Sequence, residues 1–489
     1  MKVRASKAII CGLLLGACSQ GPALELPVLE RHASGQHYRI FYVAELRGEL
    51  EPCGCTLEPL GGLARLASYL ESRRQPGFIP LLIAHGDLIS GVDVGESKLA
   101  QLQASGDFLQ AQLVALGLNA AGDGPHDRVF ALASGAMGER YIPPSGQRLV
   151  GEVQIYRSGA LLKDVDPKRL AIMLFDGDLA EARKQAKELA QKGVDLLLLA
   201  EGDEASGLQD VGHGLLAVSG GERGQQVIEV DLVWRGDGSL QRYESAQQRR
   251  VDLAAMESRI EGLVRRRDRA KVRQKPAALI AARSQQIEKA KAARFELFSA
   301  TLPQPPPTGN SIASQRVPLD SSISEDESMK TKVQAHHRSI SILNKSLEKN
   351  RKCPPPPELG SAVYLGSQAC RSCHSSAYDF WKKTPHAHAW ATLQKKGRTY
   401  DYNCVTCHSA GFDEAEGFCR VSEAGDRINV GCENCHGPGS LHAASGDKTK
   451  IKRAVPAAVC TNCHHAPHTN TFVYSDRLSR IVGPGHGAP

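Results

Sequence analysis

Between Cys370 and His464 one five-residue pattern occurs four times: Cys370-Arg371-Ser372-Cys373-His374, Cys404-Val405-Thr406-Cys407-His408, Cys432-Glu433-Asn434-Cys435-His436 and Cys460-Thr461-Asn462-Cys463-His464. Nothing else in the 489 residues constrains the chain as strongly, because the pattern specifies covalent chemistry as well as shape. Two thiols at this spacing reach both vinyl groups of one porphyrin, and the imidazole that follows lies beneath the ring as a ligand to its iron. The competing reading is zinc, since two Cys-x-x-Cys pairs can form a four-thiolate cage. Such a cage has no use for a His after every second Cys, and here each repeat carries one. The eight cysteines therefore read as thioether positions for four c-type haems, with His374, His408, His436 and His464 as proximal iron ligands.

Residues 358–489 then have only about 33 residues for each haem, too little chain for an ordinary apolar core. The porphyrins become the core of a mainly α-helical domain, stapled by thioethers and axial bonds. Tyr378, Phe380, Trp381 and Trp390 are packing partners for porphyrin faces or edges, and haems crowded in this way suit serial electron transfer. Outside the motifs, His386, His388, His442, His465, His468 and His486 are available for the second axial position.

Tyr378 to Trp381, Pro385-His386-Ala387-His388-Ala389, the stretch from Val430 through Cys432 and Cys435 to Gly439 and His442, and Ile481 to Gly487 together resemble the tetrahaem cytochrome c family typified by the electron acceptor of hydroxylamine oxidoreductase. The resemblance implies bis-His haems beside one five-coordinate haem, with His442, His486 and one of His386 and His388 as distal ligands. Three distal imidazoles leave one iron open, expected at Cys404 and Cys407 unless His465 or His468 fills the position.

At the other end of the chain, Lys2, Arg4 and Lys7 precede an apolar run over 8–16, too short to span a bilayer and of signal-peptide type. It closes on Leu15-Gly16-Ala17-Cys18, which resembles the lipobox of bacterial lipoproteins. That implies removal of 1–17, lipidation of Cys18 and a membrane-anchored exported protein with a tether over 18–35. Ser19 is similar to lipoproteins sent to the outer membrane, so the expected location is the periplasmic face or the outer membrane. Export agrees with c-haem, which is attached outside the cytoplasm. Of 14 cysteines, Cys11 leaves with the signal, Cys18 is the anchor and eight hold haem, leaving Cys53, Cys55, Cys353 and Cys419 with three possible disulfide pairings. A Cys53–Cys55 bridge would be strained.

Residues 36–245 alternate apolar runs (38–44, 78–84, 170–175, 194–200, 215–219, 227–234) with helical spacing (63–70, 108–118, 179–192), which predicts a layered α/β domain. The segments 40–50, 61–65, 85–87 and 116–127 follow the order and spacing of the metallophosphoesterase domain of 5′-nucleotidases, and this resemblance implies a four-layer sandwich with a two-metal site at the strand ends. Its ligand motifs are degenerate here. Ala44-Glu45-Leu46-Arg47 stands for Asn-Asp-x-His, and Gly124-Pro125-His126-Asp127 stands for Gly-Asn-His-Glu. Glu201 follows the strand after which a His is expected, and no Gly-His-x-His is recognisable near His213. Asp87 and His126 are a remnant too small for two hard cations, and Arg47 puts a cation where a metal would sit, so no divalent metal and no hydrolase activity are expected.

Residues 246–300 read as a basic helical pair broken at Pro276, and 301–357 as a Pro-rich linker with a short strand over 311–319 and a helix to about 349, capped by Ser324 with Glu327. The net charge of +7 comes mainly from Arg249 to Arg294 without a nucleic-acid motif, so no nucleic-acid partner is expected. The chain reads as an electron-transfer lipoprotein whose partners are redox proteins and the membrane. The alternatives are a redox enzyme acting on nitric oxide or hydroxylamine at an open haem, and a phosphoesterase carrying a cytochrome.

Overall fold

Unbroken apolar strands such as Leu170–Phe175 and Leu196–Leu199 are fully buried because both faces of their sheet are covered. The computed structural model describes residues 35–489 apart from 53–58, 131, 133–134, 161, 163–164, 202–206, 237, 244–245, 273, 300–305, 307, 466–471 and 487–489. The expected signal peptide and tether, Cys18, Cys53, Cys55 and His468 lie outside the described residues.

In chain order the first elements are β1 (Gln36–Ala44), α1 (Leu63–Ser72), β2 (Ile79–His85), α2 (Glu96–Ala115), β3 (Leu118–Ala121), β4 (Gln147–Val150), β5 (Val153–Arg157), β6 (Leu170–Phe175) and α3 (Leu179–Gln191). There follow β7 (Leu196–Leu199), β8 (Gly207–Gly212), β9 (Leu215–Ser219), β10 (Gln226–Trp234), β11 (Leu240–Arg242), α4 (Ala246–Val272), α5 (Ala277–Ser299), β12 (Asn310–Pro318) and α6 (Glu327–Leu347). Two six-stranded sheets result, ordered β11-β12-β10-β1-β2-β3 and β4-β5-β6-β7-β9-β8.

The period of two along each strand divides the core. Ile40, Tyr42 and Ile83 of the first sheet meet Ile155, Ile172, Leu174 and Leu198 of the second. The alternate residues Phe41, Val43 and Leu82 pack under α1, α2 and α6, and Met173, Phe175 and Leu197 pack under α3. The order helices, sheet, sheet, helix is the four-layer sandwich.

Two elements differ from expectation, and a third is present as expected but joins the first sheet. The helix predicted over 108–118 spans Glu96–Ala115, and Leu118–Ala121 is a strand. The polar first half of this helix carries no apolar period and is held by tertiary contacts described below. The α6 cap is Asp326, which accepts from the Met329 N–H at 2.7 Å, in place of Ser324. The strand predicted over 311–319 is β12, hydrogen-bonded in the sheet from Gln226↔Pro318 to Val233↔Ser311. The sheet therefore extends past residue 245, and α4 and α5 are an excursion between β11 and β12.

Beyond α6 the helices are short: α7 (Ser375–Trp381), α8 (Ala389–Lys396), α9 (Tyr402–His408), α10 (Cys432–His436), α11 (Ser440–Ser445), α12 (Ala457–Thr461) and α13 (Tyr474–Ile481). A disulfide joins Cys353 to Cys419, a bridge of the pairing that the sequence disfavoured because its other bridge would be the strained Cys53–Cys55. The two regions dock through buried polar groups. Gln101 of α2 donates to Asp401 at 2.8 Å and accepts from the Tyr402 N–H at 3.0 Å and from Asn344 of α6 at 2.6 Å. Among the described residues no helix is long and apolar enough to cross a membrane.

Candidate haem centres and strand-end cavity

A Cys-x-x-Cys-His stretch wound as one helical turn places both thiols and the imidazole on a single face. The second and third motifs lie on α9 and α10, and the fourth begins on α12. In the first and fourth, the His374 N–H donates to the Cys370 carbonyl at 2.9 Å and the His464 N–H to the Cys460 carbonyl at 2.8 Å, the same turn. None of the eight thiols is in a disulfide. The turn Ser367–Cys370 that opens the first motif packs on α10, and α10 packs on α12. The first, third and fourth motifs are thereby neighbours.

The imidazoles test whether these residues fit haem. The ring of His374 faces that of His442 with centroids 6.2 Å apart, and His386 faces His464 at 6.1 Å. Two imidazoles on opposite sides of one metal, each with a metal–nitrogen bond of about 2 Å, need a centroid spacing of about 6 Å. Both pairs join a motif His to a spare His predicted as distal. Burial and the neighbouring His464 hold the His386 pKa below its usual value, which keeps a lone pair free for a metal. Orientation comes from backbone carbonyls. Nδ1 of His408 bonds the Ala389 carbonyl at 2.7 Å, that of His436 the Lys452 carbonyl at 2.7 Å, and that of His442 the Asp447 carbonyl at 3.0 Å. A bonded Nδ1 leaves Nε2 as the ligating atom. Among the described residues, neither His408 nor His436 faces a second imidazole in this way, and the predicted ligand His486 and the alternative His388 are in no such pair.

Glu433, inside the third motif and only 3% exposed, is a residue that spacing did not single out. Its carboxylate accepts from the N–H groups of Leu365, Gly366 and Gly439 at 2.7–3.0 Å, tying the segment before the first motif to the loop after the third. Ser367 accepts from the Cys432 N–H at 3.1 Å in the same junction.

The second feature is a cavity of about 430 Å³ at the carboxyl ends of β1, β2, β3, β6 and β7, where open α/β sheets place their ligands. Asp87 and His126 both line it and lie 2.6 Å apart, so the remnant pair is brought together. His126 is raised above its usual pKa chiefly by that hydrogen bond. Arg47 donates to Glu45 at 2.9 and 3.0 Å, and both residues sit at positive φ (49° and 50°), a strained backbone at the cavity mouth. His213 lies in the β8–β9 turn, at the opposite end of the sheet.

No motif announced the group at the cavity floor. Arg157, 1% exposed, pairs with Asp123 at 3.0 Å and Asp176 at 2.6 Å, and His85 lies 3.3 Å from Asp176. Those carboxylates stand just past the ends of β3 and β6, and a polar residue closing an apolar strand was the only available signal. Their charge is spent on an internal guanidinium, and among the described residues no group of three His, Cys, Asp or Glu could hold a metal ion. The residues present fit haem at the C-terminal motifs and do not fit a metal pair at the strand ends.

Comparison with known proteins touches both regions. Residues 369–437 match the family described as Cytochrome c554 and c-prime. Part of the chain is 36% identical over 93 residues to cytochrome c-554 of Nitrosomonas europaea, a stretch covering 16% of this chain and 40% of that protein. Among solved structures, the chain is similar to sulfate thiohydrolase SoxB of Thermus thermophilus (12% identity, TM-score 0.36, 61% of this chain and 60% of that one). It is also similar to a 5′-nucleotidase precursor from Thermus thermophilus (13% identity, TM-score 0.30, 68% of this chain and 61% of that one).

Proposed function

We propose that this chain is an exported multihaem c-type cytochrome that transfers electrons through four covalently bound haems, anchored by a lipid on Cys18, with an α/β unit that does not hydrolyse phosphate esters. The observation that carries the reading is the two pairs of facing imidazoles, His374 with His442 and His386 with His464, each at metal-bridging separation and each joining a motif to a residue far from it in sequence. Bound haem supplies one-electron chemistry at a potential set by axial ligation and burial. The chain's residues hold and orient it. Eight thiols fix four rings, carbonyls aim His408, His436 and His442, Glu433 braces the first motif against the third, and the packing of α10 on α12 sets the third beside the fourth. Redox proteins are the expected partners.

On the α/β side, Arg157 and Arg47 neutralise the carboxylates that a metal pair would require. A second reading, reduction or oxidation of a small ligand at an open iron, is favoured by His408 and His436, neither of which faces a second imidazole among the described residues. Pyridine haemochrome analysis should give four haems per chain. EPR of the ferric protein separates the two readings: a high-spin signal that converts on adding nitric oxide makes the protein a small-molecule redox enzyme, and only low-spin signals make it an electron carrier. Phosphate-ester turnover with added divalent metal would refute the proposed inactivity of the α/β unit.

A further inference from the structure

The basic helical pair is used by neither site. Residues 246–299 contain fourteen Lys and Arg against six Asp and Glu, a net of +8, while the whole chain is +7, so the rest is nearly neutral. Within the pair the charge is concentrated at the far end, where 265–275 has seven basic residues and one acidic. The helices are antiparallel, since Arg283 donates to the Arg266 carbonyl and Arg294 pairs with Glu257. The base of the pair is at the sheet, where α4 packs on β12 and Leu253 is buried. From Leu253 to Val272 the helix rises about 28 Å at about 1.5 Å per residue. At that tip Arg266, Arg269, Lys271 and Lys275 are exposed, and Val272 is 83% exposed among them. Arg265 and Arg267 are paired locally with Glu261 and Asp268.

We propose that the tip of the α4–α5 hairpin docks on an anionic phospholipid surface, cations against headgroups and Val272 at the interface. Charge complementarity requires an anionic partner, and position selects among the candidates. Neither α4 nor α5 packs extensively against any element carrying a Cys-x-x-Cys-His motif, so nothing ties the tip to the haem sites that a redox partner must approach. Nucleic acid is absent from the compartment where c-haem is attached, a point that rests on the reading above. A membrane surface needs no proximity to haem, and a cationic cluster with an apolar residue at its centre suits the headgroup boundary.

The test is co-sedimentation of the full-length holoprotein carrying Cys18→Ser, so that no lipid anchor contributes, with vesicles of phosphatidylcholine alone or with phosphatidylglycerol. The chain should bind only the anionic vesicles and release as salt rises from about 0.1 to 0.5 M. The quadruple variant Arg266→Glu, Arg269→Glu, Lys271→Glu, Lys275→Glu should bind at least about a hundredfold more weakly, since each basic residue near an anionic surface is worth about fivefold. The control Arg183→Glu, Lys184→Glu, Lys187→Glu, Lys192→Glu changes net charge equally at α3 and should retain most of the binding. Equal binding to neutral vesicles, equal loss in both variants, or no binding by the parent chain would each overturn the proposal. In the last case, hairpin-dependent retention on immobilised polyglutamate would assign the surface to an acidic protein. The assay does not read haem content, so its failure leaves the cytochrome reading standing.

Discussion

The α/β region and the cytochrome region reach a fixed structure by different means. The first buries apolar side chains in three layers between helices and sheets, with Ile40, Ile83, Ile172 and Leu198 entirely shielded from solvent. Among its described residues the second has a single small apolar cluster, Trp390, Leu393, Tyr402, Val405, Phe412, Phe418, Val421 and Ala424, gathered around the second motif. The first, third and fourth motifs lie on turns and helices of eight residues or fewer, outside that cluster. A 5-residue helix such as Cys432–His436 is far below the length that holds itself together in water. A thin polypeptide can thus be ordered by what is attached to it, while a thick one needs only its own side chains.

The largest expected effect follows from removing that attachment. Cys→Ser at all eight thioether positions should leave 358–489 open to protease while the α/β region survives, as read by limited proteolysis with mass spectrometry. Equal resistance of both regions would break the comparison. Leu198→Ala, in the inter-sheet core, should cost about 2–5 kcal/mol of α/β stability in denaturant unfolding and leave the haem Soret band of the native protein unchanged.

The junction sharpens the contrast, because there the cytochrome borrows order from its neighbour. Asp401 caps α9, accepts from Gln101 and pairs with Arg398 at 2.7 Å, and its pKa is lowered by Arg398 against the penalty of burial. Asp401→Ala removes the α9 cap, the Gln101 contact and one of the two carboxylates on half-buried Arg398, leaving Glu51 as its partner, and should cost about 2 kcal/mol, with the two regions unfolding in separate transitions. The last effect is one of pH, and it is small at any single step of pH. Burial, with Arg398, His336 and Lys396 nearby, pushes His337 down to about 3 despite Glu51 at 3.4 Å and the opposing pull of Asp401. The unfolded chain, titrating near 6.5, takes up a proton that the folded chain refuses. Stability is therefore present above pH about 6.5 and falls toward pH about 3, by up to about 1.4 kcal/mol per pH unit. His337→Gln should flatten that slope in denaturant midpoints measured from pH 7 to 4.

The sequence alone determined the chemistry of the C-terminal region, because thioether attachment is encoded in five consecutive residues and needs no long-range contact to be recognised. It also determined the buried strands, whose runs of Leu, Ile and Val admit few other placements. It named His442 and one of His386 and His388, but which imidazole faces which motif is a contact across the fold. Only the tertiary structure paired His374 with His442 and His386 with His464, chose the Cys353–Cys419 bridge and brought β12 into the first sheet. It also placed Arg157 between Asp123 and Asp176, residues 34 and 19 positions away, where their charges cancel without any motif to announce it. Covalent chemistry and periodicity are local and can be read along the chain; ligation partners and ion pairs are decided by distances that folding creates.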